Sequence, residues 1–275
     1  MRPEAPPSRD EHVLLRAAGL TKTYRQGPWF SRTGSKIEAL KRIDLTIRPC
    51  STLGIIGRSG SGKSTLARCL ASIEQPDAGE IWFEGRDIAR PDRHLRALQR
   101  QIQIIFQEPG ASLNPRLPAV EIVSEPLRIA GQPKGQRRER AAELMRLVGL
   151  PPDSGSRLPP EFSSGQRRRL AIARALTLRP KVLILDESLT GLDLSVQAQI
   201  SNLLLELQTA YSLTYICISH DLSLVAHLAD EIAVMDQGQI VENAPVAEFL
   251  AGQGGLRRGL CAALDKLHSL GAGSL

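Results

Sequence analysis

The chain has 275 residues, 42% of them hydrophobic, enough to fill the core of one large domain or two small ones. Thirty-five basic against 29 acidic residues leave a formal charge of +6, which suits an anionic partner without choosing among nucleotide, nucleic acid and lipid surface. No apolar run approaches the roughly 18 residues of a spanning helix, and the Pro-rich, charged residues 1–10 lack the apolar stretch of a secretory signal, so a cytosolic protein is expected.

In chain order, residues 1–11 read as a tail. Apolar runs at 45–47 and 52–56 predict strands, preceded at 27–36 by a segment of loop composition that carries Trp29 and Phe30. A strand is predicted at 103–106. From Gln107 to about Glu161 prolines and helical spacing take over, with Ala141, Leu144, Met145 and Val148 on one face; a helical subdomain inserted at about 107–165 is expected. Strands resume at 182–185, 214–219 and 232–235. Between the first two, Val196, Ile200, Leu203, Leu204 and Leu207 mark an amphipathic helix beginning after the candidate caps Asp193 and Ser195. Strands alternating with helices predict an α/β fold, one domain over 12–250 with a tail at 251–275. The four cysteines, Cys50, Cys69, Cys217 and Cys261, form no Cys-x-x-Cys pair and read as free thiols.

Gly57-Arg58-Ser59-Gly60-Ser61-Gly62-Lys63-Ser64 matches G-x-x-x-x-G-K-[ST], between the strand at 52–56 and a helix-forming run that opens with Thr65. The glycines let the backbone curl until successive N–H groups face phosphate oxygens, and the helix N-terminus adds partial positive charge. Lys63 supplies a full charge; Ser64 is placed to offer its hydroxyl to a magnesium ion bridging the outer phosphates. The apolar run at 182–185, which reads as a central strand buried on both faces, ends in Asp186-Glu187. Ligands of parallel sheets bind at strand carboxyl ends, so Asp186 is expected to hold magnesium and Glu187 to act as general base toward water.

Glu161-Phe162-Ser163-Ser164-Gly165-Gln166, followed by Arg167-Arg168-Arg169-Leu170-Ala171-Ile172-Ala173-Arg174-Ala175-Leu176, resembles the signature motif of ABC ATPases, usually Leu-Ser-Gly-Gly-Gln. Ser163 and Gly165 open a helix whose amides can accept an anion. The resemblance implies a P-loop NTPase (RecA-like) core with a mostly parallel sheet, an N-terminal antiparallel β subdomain and an inserted α-helical subdomain. It further implies that Ser163, Ser164, Gly165 and Gln166 contact the ATP of an opposite subunit. By the same resemblance Tyr24 stacks on adenine, Gln107 senses magnesium and contacts the membrane partner, Asp193 lies at the dimer interface and His220 near the γ-phosphate.

Phe106-Gln107-Glu108-Pro109 with Ser112-Leu113-Asn114-Pro115-Arg116, Leu194-Ser195-Val196-Gln197-Ala198-Gln199 and the loop after Tyr24 are similar to the peptide and nickel importer group. That likeness implies an ATPase at the cytoplasmic face of the cell membrane, working with two permease subunits, a second ATPase subunit and, indirectly, a solute-binding protein. The solute would be a peptide, nickel or a metal chelate. Two departures stand out: Ser164 in place of the signature's second glycine, and Ser188-Leu189 in place of Pro-Thr after Glu187. The alternative is an ABC-type ATPase acting on nucleic acid or the ribosome, motivated by the charge and by the runs Arg137-Arg138-Glu139-Arg140 and Arg167-Arg168-Arg169; the absence of a long coiled-coil insertion and of a second cassette speaks against it, so no nucleic acid is expected as a partner.

Overall fold

The structure is a computed structural model that describes residues 13–25, 36–90, 92, 94–107 and 113–251. The tails, the loop after Tyr24, residues 108–112 and Cys261 lie outside the described residues.

Six strands form the central sheet in the order β10-β9-β3-β8-β7-β6: β3 (Thr52–Ile56), β6 (Ile102–Ile105), β7 (Val182–Asp186), β8 (Thr214–Ile218), β9 (Glu231–Asp236) and β10 (Gln239–Pro245). All pairings are parallel except β9 with β10. Every residue of β3, β7 and β8 is buried, the reason these strands read as unbroken apolar runs. Alternation sorts their side chains by face. Leu183, Leu185, Tyr215 and Cys217 join one core, whereas Val182, Ile184, Ile216 and Ile218 join the other.

A second, antiparallel sheet runs β2-β1-β4-β5: β1 (Leu15–Arg25), β2 (Lys36–Ile47), β4 (Ala78–Phe83) and β5 (Arg86–Asp87). The run at 45–47 is thus the end of a twelve-residue strand. Leu15, Leu20, Leu40 and Ile43 pack together with Leu66 and Leu70 of helix α1 (Lys63–Leu70) and with Leu53 and Ile55 of β3, so α1 lies between the two sheets.

On the opposite face sit α3 (Ala119–Ile129), α4 (Lys134–Leu147), α5 (Ser164–Leu176) and α6 (Leu194–Tyr211); a short α2 (Arg96–Gln99) precedes β6. Ala141, Leu144, Met145 and Val148 are buried among α3, α4 and α5. Thr177 fastens the end of α5 to α3 by donating to Val123 O at 2.9 Å. In α6 Asp193 occupies the N-cap without a side-chain bond, and Ser195 lies inside the helix. Helices α7 (Leu222–Leu228) and α8 (Val246–Ala251) complete the fold.

Candidate functional site

Four adjacent parallel strands, β3, β8, β7 and β6, end at the same edge of the sheet. Each carries one part of the expected site at or just past its last residue. The glycine-rich loop follows β3, His220 follows β8, Asp186 closes β7 with Glu187 next to it, and Gln107 follows β6. Sequence-distant residues meet because parallel strands place all their carboxyl ends together.

The loop after β3 turns through a bond from Ser61 N to Arg58 O at 3.1 Å, and α1 starts at Lys63 with Gly62 as its N-cap. Gly62 has φ +104, and a Cβ there would stand 2.2 Å from Ala39 O of β2; only glycine fits. The Lys63 ammonium, 5% exposed, donates to Gly57 O at 2.8 Å and Arg58 O at 2.9 Å. Burial pushes its pKa down, with Glu187 and Asp186 pulling it back up. An ammonium has three donors, so one stays available to a ligand.

Ser64 Oγ donates to Asp186 Oδ1 at 3.1 Å. Asp186 is 5% exposed, and burial raises its pKa while the Ser64 bond opposes the rise. Glu187 adopts φ +48, an uncommon left-handed conformation held by its N–H to Ile218 O at 2.9 Å and by Thr190, whose hydroxyl donates to Glu187 O at 2.7 Å. His220 Nδ1 stands 3.7 Å from Glu187 Oε2.

One cleft of about 1360 Å³ gathers Tyr24, Ser59, Gly60, Gly62, Lys63, Ser64, Thr65, Gln107 and Glu187. Asp186 joins it through Ser64, and His220 through Glu187. Gly57, Arg58 and Ser61 support the loop from behind: the first two by their carbonyls, Ser61 as a buried residue whose O accepts from Gly238 N at 3.0 Å. Lys41 and Gln237 also line the cleft, and no spacing rule in the sequence pointed to them.

Ser163, Ser164, Gly165, Gln166 and Asp193 do not line this cleft. Ser163 caps α5 in a reciprocal box: Gln166 N donates to Ser163 Oγ at 3.2 Å, and Ser163 N donates to Gln166 Oε1 at 3.0 Å. Ser163 and Ser164 are exposed, so the side chain that replaces glycine meets solvent. Gly165 faces α6 instead; a Cβ there would sit 2.6 Å from Val196 Cγ1. Ser188 and Leu189 are buried beside Glu187.

The arginine run of α5 is neither a solvated face nor a free basic patch. Arg167 donates to Phe162 O at 2.7 Å and Arg169 to Val148 O at 2.6 Å. Arg168, 4% exposed, donates to Gln107 O at 3.1 Å and Phe106 O at 3.4 Å, tying the signature helix to the end of β6. In the other run Arg138 pairs with Glu121 and Arg140 with Glu143.

Comparison with known proteins identifies the family and the fold. Residues 40–190 match the family model described as ABC transporter. The chain is 46% identical over 236 residues to the oligopeptide transport ATP-binding protein OppD of Mycobacterium tuberculosis, covering 85% of this chain and 39% of that protein. It is 45% identical over 234 residues to the dipeptide transport ATP-binding protein DppF of Escherichia coli, covering 84% and 70%. The solved dimeric post-hydrolysis state of the ATP-binding cassette MJ0796, bound to ADP and Pi, superposes with a TM-score of 0.75 at 28% identity over 85% of this chain and 99% of that one. The mixed, mostly parallel sheet is that of an ATP-binding cassette, and the chain belongs to the ABC transporter family.

Proposed function

We propose that this chain hydrolyses ATP as the motor subunit of an importer for peptide-type solutes, docked on permease subunits at the cytoplasmic face of the membrane. The observation that carries this reading is the split site: Lys63, Glu187 and Gln107 share one cleft, while the exposed cap at Ser163 lies apart from it. A triphosphate held in the cleft therefore needs a second ATPase subunit to bring a signature helix to it. In this reading Tyr24 stacks on adenine, Asp193 lies at the subunit junction, and Lys63 gives its free donor to the outer phosphates. Glu187 orients the attacking water and takes its proton, and His220, beside it, donates to the γ-phosphate. The oligopeptide and dipeptide transport names of OppD and DppF support the solute class; nickel and metal chelates are the other solutes of the importer group that the motifs resemble.

Ser64 and Asp186, in contact at 3.1 Å, and Gln107, on the same cleft as Ser64, offer hard oxygens. They fit magnesium, which takes few protein ligands and fills its shell with water and phosphate. Bound there, the ion would neutralise charge on the outer phosphates. The test is uptake of radiolabelled di- and oligopeptides by a strain deleted for this chain. The wild-type chain restores uptake and Glu187→Gln does not; restoration by both refutes the motor assignment, and unimpaired peptide uptake in the deletion strain refutes the solute class.

A further inference from the structure

The turn after α1 holds a polar cluster that the phosphate chemistry does not use. Tyr24 Oη donates to Glu74 Oε2 at 2.7 Å and stands 3.4 Å from Thr65 Oγ1. The same carboxylate meets Lys22 Nζ at 3.4 Å and Arg68 Nε at 3.3 Å. Lys22 is held further by Asp77 at 3.4 Å and by the Gln75 carbonyl, to which it donates at 2.7 Å. Its ammonium lies over the Tyr24 ring, 5.8 Å from the centroid. The Glu74 side chain is 22% exposed, so these contacts are only partly screened.

We propose that Glu74 is the positioning residue of the base platform: by fixing the Tyr24 hydroxyl and the Lys22 ammonium together, it sets the ring at one distance from the phosphate cradle. The inference rests on the reading of Tyr24 as the residue that stacks on adenine. Its physical basis is that one short helix carries both ends of the site. The first turn of α1 holds Lys63, Ser64 and Thr65; the turn beyond its last residue holds Glu74, whose N–H donates to Arg68 O at 3.2 Å. A ring anchored at both Thr65 and Glu74 cannot swing without breaking a charge-assisted bond. With Lys22 covering one ring face, a base has only the other on which to stack. Glu74 thereby fixes the span between base and phosphate and favours a nucleotide over a free polyphosphate.

The experiment measures ADP and pyrophosphate binding to the full chain by calorimetry, since the first ligand carries a base and the second does not. Tyr24→Phe and Glu74→Ala should each weaken ADP about tenfold, the low end of what a hydrogen bond to a charged group contributes. Pyrophosphate affinity should stay unchanged, and the double variant should bind ADP no more weakly than the worse single. Equal losses for ADP and pyrophosphate would make Glu74 a helix support only and overturn the proposal. So would wild-type ADP affinity in both single variants when Tyr24→Ala has lost it. Unchanged ADP affinity in Tyr24→Ala removes the platform reading itself, a result distinguishable from the other two. Should Glu74→Ala not fold, Glu74→Gln and Tyr24→Phe carry the same comparison.

Discussion

Asp186 and Glu187 are neighbours with different surroundings. The first is 5% exposed at the end of a buried strand, whereas the Glu187 side chain is 20% exposed at the cleft wall. Burial raises the Asp186 pKa, so the fold disfavours its ionised form. The sign of the consequence is fixed: stability falls as pH rises from below the ordinary carboxylate range through the raised native value, and at neutral pH the empty protein carries that cost. Asp186→Asn keeps an oxygen for the Ser64 hydroxyl and removes the charge. It should shift the urea midpoint upward at pH 7, with the gain shrinking below about pH 4, where the carboxyl is protonated in both states. The same variant should lose magnesium-dependent nucleotide binding. A lower midpoint at pH 7 would show that Lys63 and Arg68 outweigh burial at this carboxylate.

Glu187 should behave oppositely under substitution. Glu187→Gln keeps the size and the left-handed backbone position but cannot take a proton. Turnover should fall by about 10²–10⁴-fold, the usual cost of losing a general base, with ATP affinity retained. Steady-state phosphate release and equilibrium binding measure the two quantities separately, and normal turnover would place the base elsewhere.

At the scale of elements, helix α5 is tied to its surroundings by backbone carbonyls, by the Arg174–Glu125 ion pair at 3.0 Å and by one close approach. Burial lowers the Arg168 pKa to about 10, yet the guanidinium remains charged at neutral pH and holds the last carbonyls before residue 108. Gly165 is where α5 meets α6, just beyond Asp193. Gly165→Ala places a methyl against Val196 and should cost about 1–3 kcal/mol, the range for overpacking. At this chain length that is a melting shift of several degrees. Val196→Ala opens the space, so the double variant should lose less than the two singles summed. Additive losses in a thermal melt would mean that the helices part at no cost and that the close contact has no energetic weight.

The legibility of each element tracked how its residues face water. Strand β3 was readable to the residue, and β7 and β8 to within one, because both of their faces are buried. Strand β10, QIVENAP, alternates exposed and half-buried residues at the sheet edge and left no apolar signal. Strands β1 and β2 were reached largely through the family resemblance, since polar residues interrupt their apolar ones and the register between them shifts three times. The lining of the candidate cleft was legible wherever it forms a contiguous motif, as from Ser59 to Ser64. Contacts between distant segments, Glu74 with Tyr24 or Arg168 with Gln107, obey no spacing rule, and only the fold brings them together.

For the molecule as a whole, the proposed motor turns on the free energy by which a triphosphate would favour two cassettes closed on each other. Moving that equilibrium from 1:99 to 99:1 takes about 5.5 kcal/mol of differential binding. On that proposal two nucleotides, each bridging one subunit's cleft and the other's Ser163 cap, would supply it through charge-assisted bonds that ADP, lacking the γ-phosphate, cannot make. Cysteines placed at Ser59, on the cleft, and at Ser164, on the cap, should therefore face each other across subunits only with ATP. Cys69 and Cys217 do not interfere, because burial raises their pKa to about 11 and about 12 and shields both thiols. Exposed Cys50, with Cys261, is replaced by serine. In the slow Glu187→Gln background, a short bifunctional thiol reagent should join two chains, or this chain and a sister ATPase carrying the matching cysteine, with ATP and not with ADP. Joining that ignores the nucleotide, or never occurs, would mean that the exposed cap serves something other than the neighbouring cleft.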